Sequence, residues 1–332
     1  IDGEGVTINV TGSQTEAGES DNTFGYTFNK GTNAGDYWVT TKFGKLVVTA
    51  NDSEVVATIK GHNKTVEYNG SEQSVDGYDF VKASSKLYGE GDFSFSGEAV
   101  AKGTDVGTYN MNLASDQFAN TSNNFSKVTF AVTDGTLTIT PKSIVPDPEN
   151  PKSTMSVDSP ADVVYNGQDQ TWTPVVKDGE RTLEAGKDYN VNYITADRTN
   201  VGEITVTITG AGNYSGSVER TYRITKRAVE LKSQSGSKPY DGTALVKPEV
   251  SGWQQQGDTG FVTGEVSNVR ATGSVTTVAE GEVANSIAYD TNAGFNANNY
   301  AISKDEGKLS ITALAAEDGI TITPNNATYI YD

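Results

Sequence analysis

Cysteine is absent from the 332 residues, and histidine occurs once, as His62. Without cysteine there are no disulfides, no thiolate nucleophiles and no Cys-ligated metal, and one histidine cannot supply a His-rich metal site or several imidazole-based centres. Basic residues are also scarce: 25 Lys and Arg stand against 43 Asp and Glu, for a net charge of −18. Nucleic-acid binding draws most of its affinity from Lys and Arg on phosphates, so no nucleic acid is expected as a partner. No stretch approaches the ~18 apolar residues of a membrane-spanning helix. The residues from Ile1 onward carry neither a basic nor an apolar leader region, so the compartment has to be inferred indirectly. Helical periodicity is missing too, because glycine interrupts every window that begins to keep apolar residues at i, i+3, i+4 and i+7. A single short helical turn near 82–90 or 254–258 is the most that the pattern allows.

What the chain does contain is repetition, which has to be read before secondary structure. Residues 22–49 lie over residues 285–312 without a gap at an offset of 263, and eleven of the 28 positions are identical. They include Tyr26 and Tyr289, Asn33 and Asn296, Tyr37 and Tyr300, and the run Gly44-Lys45-Leu46 against Gly307-Lys308-Leu309. Similar endings occur at Asp134–Thr140 and, more distantly, at Thr221–Thr225. A second marker opens each repeat: Tyr68-Asn69-Gly70, Tyr165-Asn166-Gly167, Tyr240-Asp241-Gly242 and the terminal Tyr331-Asp332. Asn-Gly and Asp-Gly tolerate positive φ, so each marker reads as a strand running into a tight turn. Five of the nine prolines fall within 141–160, where fixed φ and missing N–H groups disfavour helix and central strand alike.

These landmarks divide the chain into the C-terminal part of one module (1–50), a module at 53–142, a proline-rich linker (143–153), modules at 154–227 and 228–314, and the first strand of a further module (315–332). Within them, Glu203–Ile208 and Thr136–Thr140 alternate apolar residues with threonine, the mark of a half-buried strand. The expected fold is therefore all-β: a tandem array of small β-sandwich, immunoglobulin-like modules, with β-grasp-like modules carrying one short helix each as the alternative.

Tyr240-Asp241-Gly242-Thr243-Ala244-Leu245, followed by Asn298-Asn299-Tyr300 and Gly307–Thr312, resembles the YDG-type repeats of bacterial, Gram-positive-like cell-surface adhesins. Residues 53–142 resemble their MBG-type relatives through Tyr68-Asn69-Gly70, Gly107-Thr108-Tyr109 and the Asp134–Thr140 ending. Residues 165–224 resemble a third surface repeat, through Tyr165-Asn166-Gly167, Gly186–Tyr189, Asn200-Val201-Gly202 and Gly212–Gly216. The resemblance implies an extracellular location on the bacterial surface and a spacer or adhesive role. It supplies no catalytic or cofactor-binding residues, and no enzyme is expected.

Candidate sites are few. His62 lies in the polar run Lys60–Lys64 and reads as a solvated loop residue. Trp38, between Tyr37 and Val39, should point outward if its neighbours point inward, and its counterpart in the second copy is Ala301. An outward tryptophan can pack on a neighbouring module, the favoured reading, or stack on a sugar ring. Trp172 and Trp253 are expected to plug their own cores near a junction. Acidic pairs at the joints (Asp52 and Glu54, Asp147 and Glu149, Glu317 and Asp318) raise calcium, but none has the Asp-x-Asp-x-Asp-Gly spacing, so solvated charge is the default. Lys45 and Lys308 are out of phase with inward leucines, and no isopeptide crosslink is expected.

The expected function is a stalk that projects a binding region, with direct binding of carbohydrate or mucin as the alternative; the partner would be a host glycan, mucin or matrix protein. Residues 315–332 are a candidate strand for head-to-tail contact with another molecule.

Overall fold

A computed structural model describes residues 1–150, 152–315 and 317–329. Pro151 of the expected linker and the terminal marker Tyr331-Asp332 lie outside the described residues. The structure is all-β: strands joined by turns, with five 3-10 turns and no longer helix among the described residues. One such turn, Glu90–Asp92, follows the first place where a helical turn was allowed. At 254–258 the chain makes a reverse turn instead, because Gly257 sits at φ 53° and Gln256 and Thr259 exchange N–H···O=C bonds of 3.0 Å.

The chain forms two compact units, Ile1–Lys142 with Gly212–Tyr214, and Ser143–Ala211 with Ser215–Asp332. In the first, Val55–Gly61 is the central strand of one sheet, parallel to Val128–Thr133 and antiparallel to Tyr78–Ala83. At His62 the chain steps into a second sheet as Asn63–Glu67, parallel to Thr136–Thr140, which pairs antiparallel with Gly107–Asn110. The partner strand makes its own step at Gly135, so the two crossings meet. A Cβ on Gly61 would stand 2.4 Å from the backbone nitrogen of Gly135. Alternate residues point inward from both sheets: Val55, Ala57 and Ile59 from one, Leu137 and Ile139 from the other, all 2 % exposed or less. Each of the larger side chains contributes about 1.5–3 kcal/mol.

The second unit repeats the device. Arg227–Ser233 runs parallel to Tyr300–Asp305, and the chain then steps across so that Gly236–Pro239 runs parallel to Lys308–Thr312. Here the tight crossing is at Gly307, whose Cβ would lie 2.4 Å from the carbonyl carbon of Gln234. Residues 154–227 contain a four-stranded sheet in which Val163–Val164 is parallel to Ser217–Thr225, followed by Gly202–Gly210 and Tyr189–Tyr193. The alternating run buries Ile204, Val206 and Ile208 completely. The start of the proline-rich segment is docked, since Ile144 is fully buried and donates its N–H to Ser215 C=O at 2.8 Å.

Residues 1–50 form two antiparallel ladders, Val6–Val10 with Phe24–Phe28 and Gly18–Asn22 with Gly44–Val48. Their correspondence to the second copy extends to an ion pair. Lys45 bridges Glu19 at 3.1 Å and Asp21 at 2.9 Å, and Lys308 meets Glu282, the counterpart of Glu19, at 2.5 Å. The copies differ at 37–42, which forms no strand, whereas the corresponding run from Tyr300 is a strand with Arg227–Ser233 beside it. Residues 317–329 also form no ladder. With no neighbour for their N–H and C=O groups, Ile320 and Ile322 remain 94 % and 86 % exposed.

Candidate functional site

Tyr68, Tyr165 and Tyr240 occupy one structural place. Each donates its backbone N–H to the threonine that ends the closing strand: Thr140 at 2.8 Å, Thr225 at 3.0 Å and Thr312 at 2.9 Å. The next side chain closes the turn: Asn69 accepts from Ser71 N–H, Asn166 from Gln168 N–H and Asp241 from Thr243 N–H, each at 2.9 Å. Gly70, Gly167 and Gly242 follow at φ 80°, 77° and 78°, the left-handed region that a side chain would strain. Asp241 is also held well below the usual carboxylate range, chiefly by Lys238 and then by the Thr243 N–H. The three rings differ in their surroundings. Tyr68 and Tyr165 are buried and meet Tyr214 and Tyr300 edge-on, both at 5.5 Å between ring centres, whereas Tyr240 is 42 % exposed.

The contact between Tyr165 and Tyr300 belongs to a buried polar joint inside the second unit. Both hydroxyls donate to one carboxylate, that of Glu265, at 2.6 Å each. Burial, and then these bonds to Glu265, push the Tyr165 hydroxyl up to about 12 and that of Tyr300 higher still. Nearby lies Arg227, only 1 % exposed, the first residue of its strand. Its guanidinium donates to Gly260 C=O at 2.7 Å, Thr259 C=O at 2.8 Å, Tyr165 C=O at 3.3 Å and Gly257 C=O. A buried cation is tolerated only when its donors are satisfied, and here four backbone carbonyls take four of the five N–H groups. One of them belongs to residues 154–227 and three to residues 228–314.

A third element recurs along the chain. Asn299 Oδ1 accepts the Val201 N–H at 2.9 Å while its Nδ2 donates to Asn200 Oδ1 at 2.8 Å. In the first unit Asn213 treats Val106 and Asp105 in the same way, at 2.8 Å each. Asn124 accepts the Ala17 N–H at 2.6 Å and donates to the Glu16 carboxylate. The partners lie 98–108 residues apart. Each asparagine precedes a buried aromatic (Phe125, Tyr214, Tyr300), and each receiving loop reads acid or amide, small aliphatic, glycine. One amide thereby satisfies a backbone donor and a side-chain acceptor together, a two-point clasp. Sequence inspection finds both halves, in Asn200-Val201-Gly202 and Asn298-Asn299-Tyr300, but holds no signal that joins them.

The tryptophans separate. Trp38 points outward and is 97 % exposed, above an open hollow of about 390 Å³ lined by Phe28, Tyr37 and Val39. Trp172 and Trp253 plug no core. Both are half-buried on the walls of surface hollows of about 480 and 280 Å³. For Trp172 the cause is local, since its backbone N–H and C=O are both held by the Tyr193 hydroxyl, at 2.6 and 2.7 Å. His62 is exposed at the crossing between sheets. Its Nδ1 meets Asp76 C=O at 2.7 Å and its Nε2 meets Asp79 Oδ1 at 3.1 Å, and these contacts, led by Asp79, raise its pKa. Among the described residues no group of three or more Asp, Glu or His side chains is placed to hold a metal ion. Of the acidic joint residues, Glu54 accepts from Thr129 and Asp147 caps the Glu149 N–H.

Compared with known proteins, the chain matches no family model and no curated protein.

Proposed function

We propose that this chain is a structural spacer of a bacterial extracellular surface adhesin, a stalk segment that projects a binding region from the cell. The observation that carries this reading is the asparagine clasp, which recurs three times with the same two contacts. A spacer must pass load from one folded part to the next. Its joints therefore need contacts that hold orientation, and paired hydrogen bonds, edge-on aromatic rings and a guanidinium held by four carbonyls do that. The surface location rests on the resemblance of the Tyr-Asp-Gly and Gly-Lys-Leu motifs to adhesin repeats. The large negative charge and the threonine-rich outer faces suit a chain that stays dissolved without pairing its strand edges.

The test is made in the parent protein on intact cells. A membrane-impermeant amine reagent should label the lysines of this segment. Replacing the segment by a Gly/Ser linker of equal residue count should lower adhesion of the cells while leaving the affinity of the isolated binding region unchanged. Full adhesion with the flexible linker, or protection of every lysine on intact cells, would overturn the proposal.

A further inference from the structure

We infer that the hollow beside Trp172 is a binding site for a neutral saccharide, a role separate from that of a spacer. Its volume of about 480 Å³ falls within the range of small-ligand sites, and Trp172, Asp169, Asn166, Thr171, Thr173 and Tyr222 line it. Three features make it more than a dent. Trp172 is pinned, not merely exposed, because the Tyr193 hydroxyl bonds its backbone on both sides. Tyr193 is fixed in turn, with the Arg198 guanidinium lying 5.0 Å from its ring centre. Arg198 also holds Asp169 Oδ2 at 2.9 Å, which neutralises the carboxylate and leaves Oδ1 as an oriented acceptor.

This is the chemistry that a pyranose recognises. The C–H bonds of one sugar face carry slight positive charge and stack on the negative face of an indole. The hydroxyls around the ring then need acceptors and donors at the rim. Among the described residues, Asp169 Oδ1, the Asn166 amide nitrogen and the hydroxyls of Thr171 and Thr173 have no hydrogen-bond partner, so they can serve without breaking an existing bond. A neutral sugar fits better than a sialylated or sulfated one, since Arg198 is already paired and the chain carries a charge of −18. The other tryptophan hollows fit less well. Beside Trp253 the Gln255 carbonyl is taken by both the N–H and the hydroxyl of Thr263. Beside Trp38 the carboxylate of Glu4 is taken by the Tyr37 hydroxyl.

The three tryptophans give three indole N–H resonances, so the full-length chain reports on each hollow separately. It would be titrated with neutral trisaccharides built from glucose, galactose, mannose or N-acetylglucosamine, with sialyllactose and a proline hexapeptide as competing probes. The expected result is a saturable, millimolar shift of the Trp172 resonance with at least one neutral trisaccharide. That affinity should fall at least tenfold in Trp172→Ala and in Thr173→Arg, which fills the hollow from an exposed position without touching the core. Should Trp172→Ala fail to fold, Thr173→Arg alone decides. No saturable shift with any neutral trisaccharide, a shift confined to Trp38 or Trp253, or tighter binding of sialyllactose or the proline peptide would overturn the inference.

Discussion

At the scale of single residues, the clasp makes an unusual demand, because the three receiving side chains are not equivalent. Asn299 faces the oxygen of an amide, Asn200, whose nitrogen is committed to Asp197; Asn213 faces a carboxylate, Asp105. Asn299→Asp keeps the acceptor for Val201 N–H, but it places a carboxylate at a position only 1 % exposed and against Asn200 Oδ1, since Asn200 Nδ2 is already given to Asp197 Oδ2 at 2.9 Å. Asn213→Asp instead sets two carboxylates in contact. Both changes are therefore expected to destabilise at neutral pH, Asn213→Asp by about 1–3 kcal/mol and the fully buried Asn299→Asp by at least as much, measured by urea unfolding. The Asn213→Asp penalty should shrink below pH 4, where carboxylates protonate. His62 gives a second prediction at this scale. Its folded pKa is raised by Asp79, so the charged form is stabilised by folding. That contribution is fully present below the unfolded value of about 6.5 and is lost as pH rises through the folded value. As the only histidine, it can be followed directly by NMR. Its midpoint should lie above the ordinary value and return towards it in Asp79→Asn; an unchanged midpoint in that variant would remove Asp79 as the cause.

Between elements, the decisive feature is the paired crossing by which an opening strand and a closing strand change sheets at the same level. Backbone meets backbone there, so Gly61 and Gly307 leave no room for even a methyl group. Gly61→Ala and Gly307→Ala should each cost about 1–3 kcal/mol or more, because the obstructing atoms are main-chain and cannot turn aside. Gly91→Ala, whose Cβ would meet nothing within 4 Å, should leave the unfolding midpoint nearly unchanged. The strands and turns around these crossings are legible in sequence because their signals are local: alternation in Glu203–Ile208, and positive φ in the Tyr-Asx-Gly turns. The joints are not legible, because each clasp connects residues about a hundred positions apart and an asparagine in a loop looks the same whether it is solvated or engaged. Trp172 and Trp253 depart from the expected core positions for a related reason. Size and hydrophobicity place them inside, but a single hydroxyl from Tyr193 fixes the backbone of Trp172 on the rim.

On the scale of the whole molecule, the question is whether neighbouring segments unfold together or one by one, and the joint at Arg227 bears on it within the second unit. Among the described residues no strand of 154–227 pairs with a strand of 228–314, so cohesion between these segments rests on side chains. Arg227 gathers carbonyls from both, Glu265 receives a tyrosine hydroxyl from each, and Asn299 closes the third contact. Arg227→Met keeps the volume and the burial but removes every donor. The Gly260 and Tyr165 carbonyls, buried at these bonds, then stay unpaired at about 1–3 kcal/mol each, whereas Thr259 C=O keeps the Gln256 N–H. Calorimetry on the full chain should show residues 154–227 and 228–314 melting as one transition in the wild type and as two in Arg227→Met, with the ratio of calorimetric to van't Hoff enthalpy near one for the single wild-type transition and near one again for each separated peak. Arg227→Lys should fall between, since one ammonium cannot reach four carbonyls arranged around a planar fork. If Arg227→Met lowers the melting temperature but leaves a single transition, the guanidinium stabilises the fold without coupling its parts. The transmission of load through this joint would then rest on the tyrosine pair and the asparagine clasp alone.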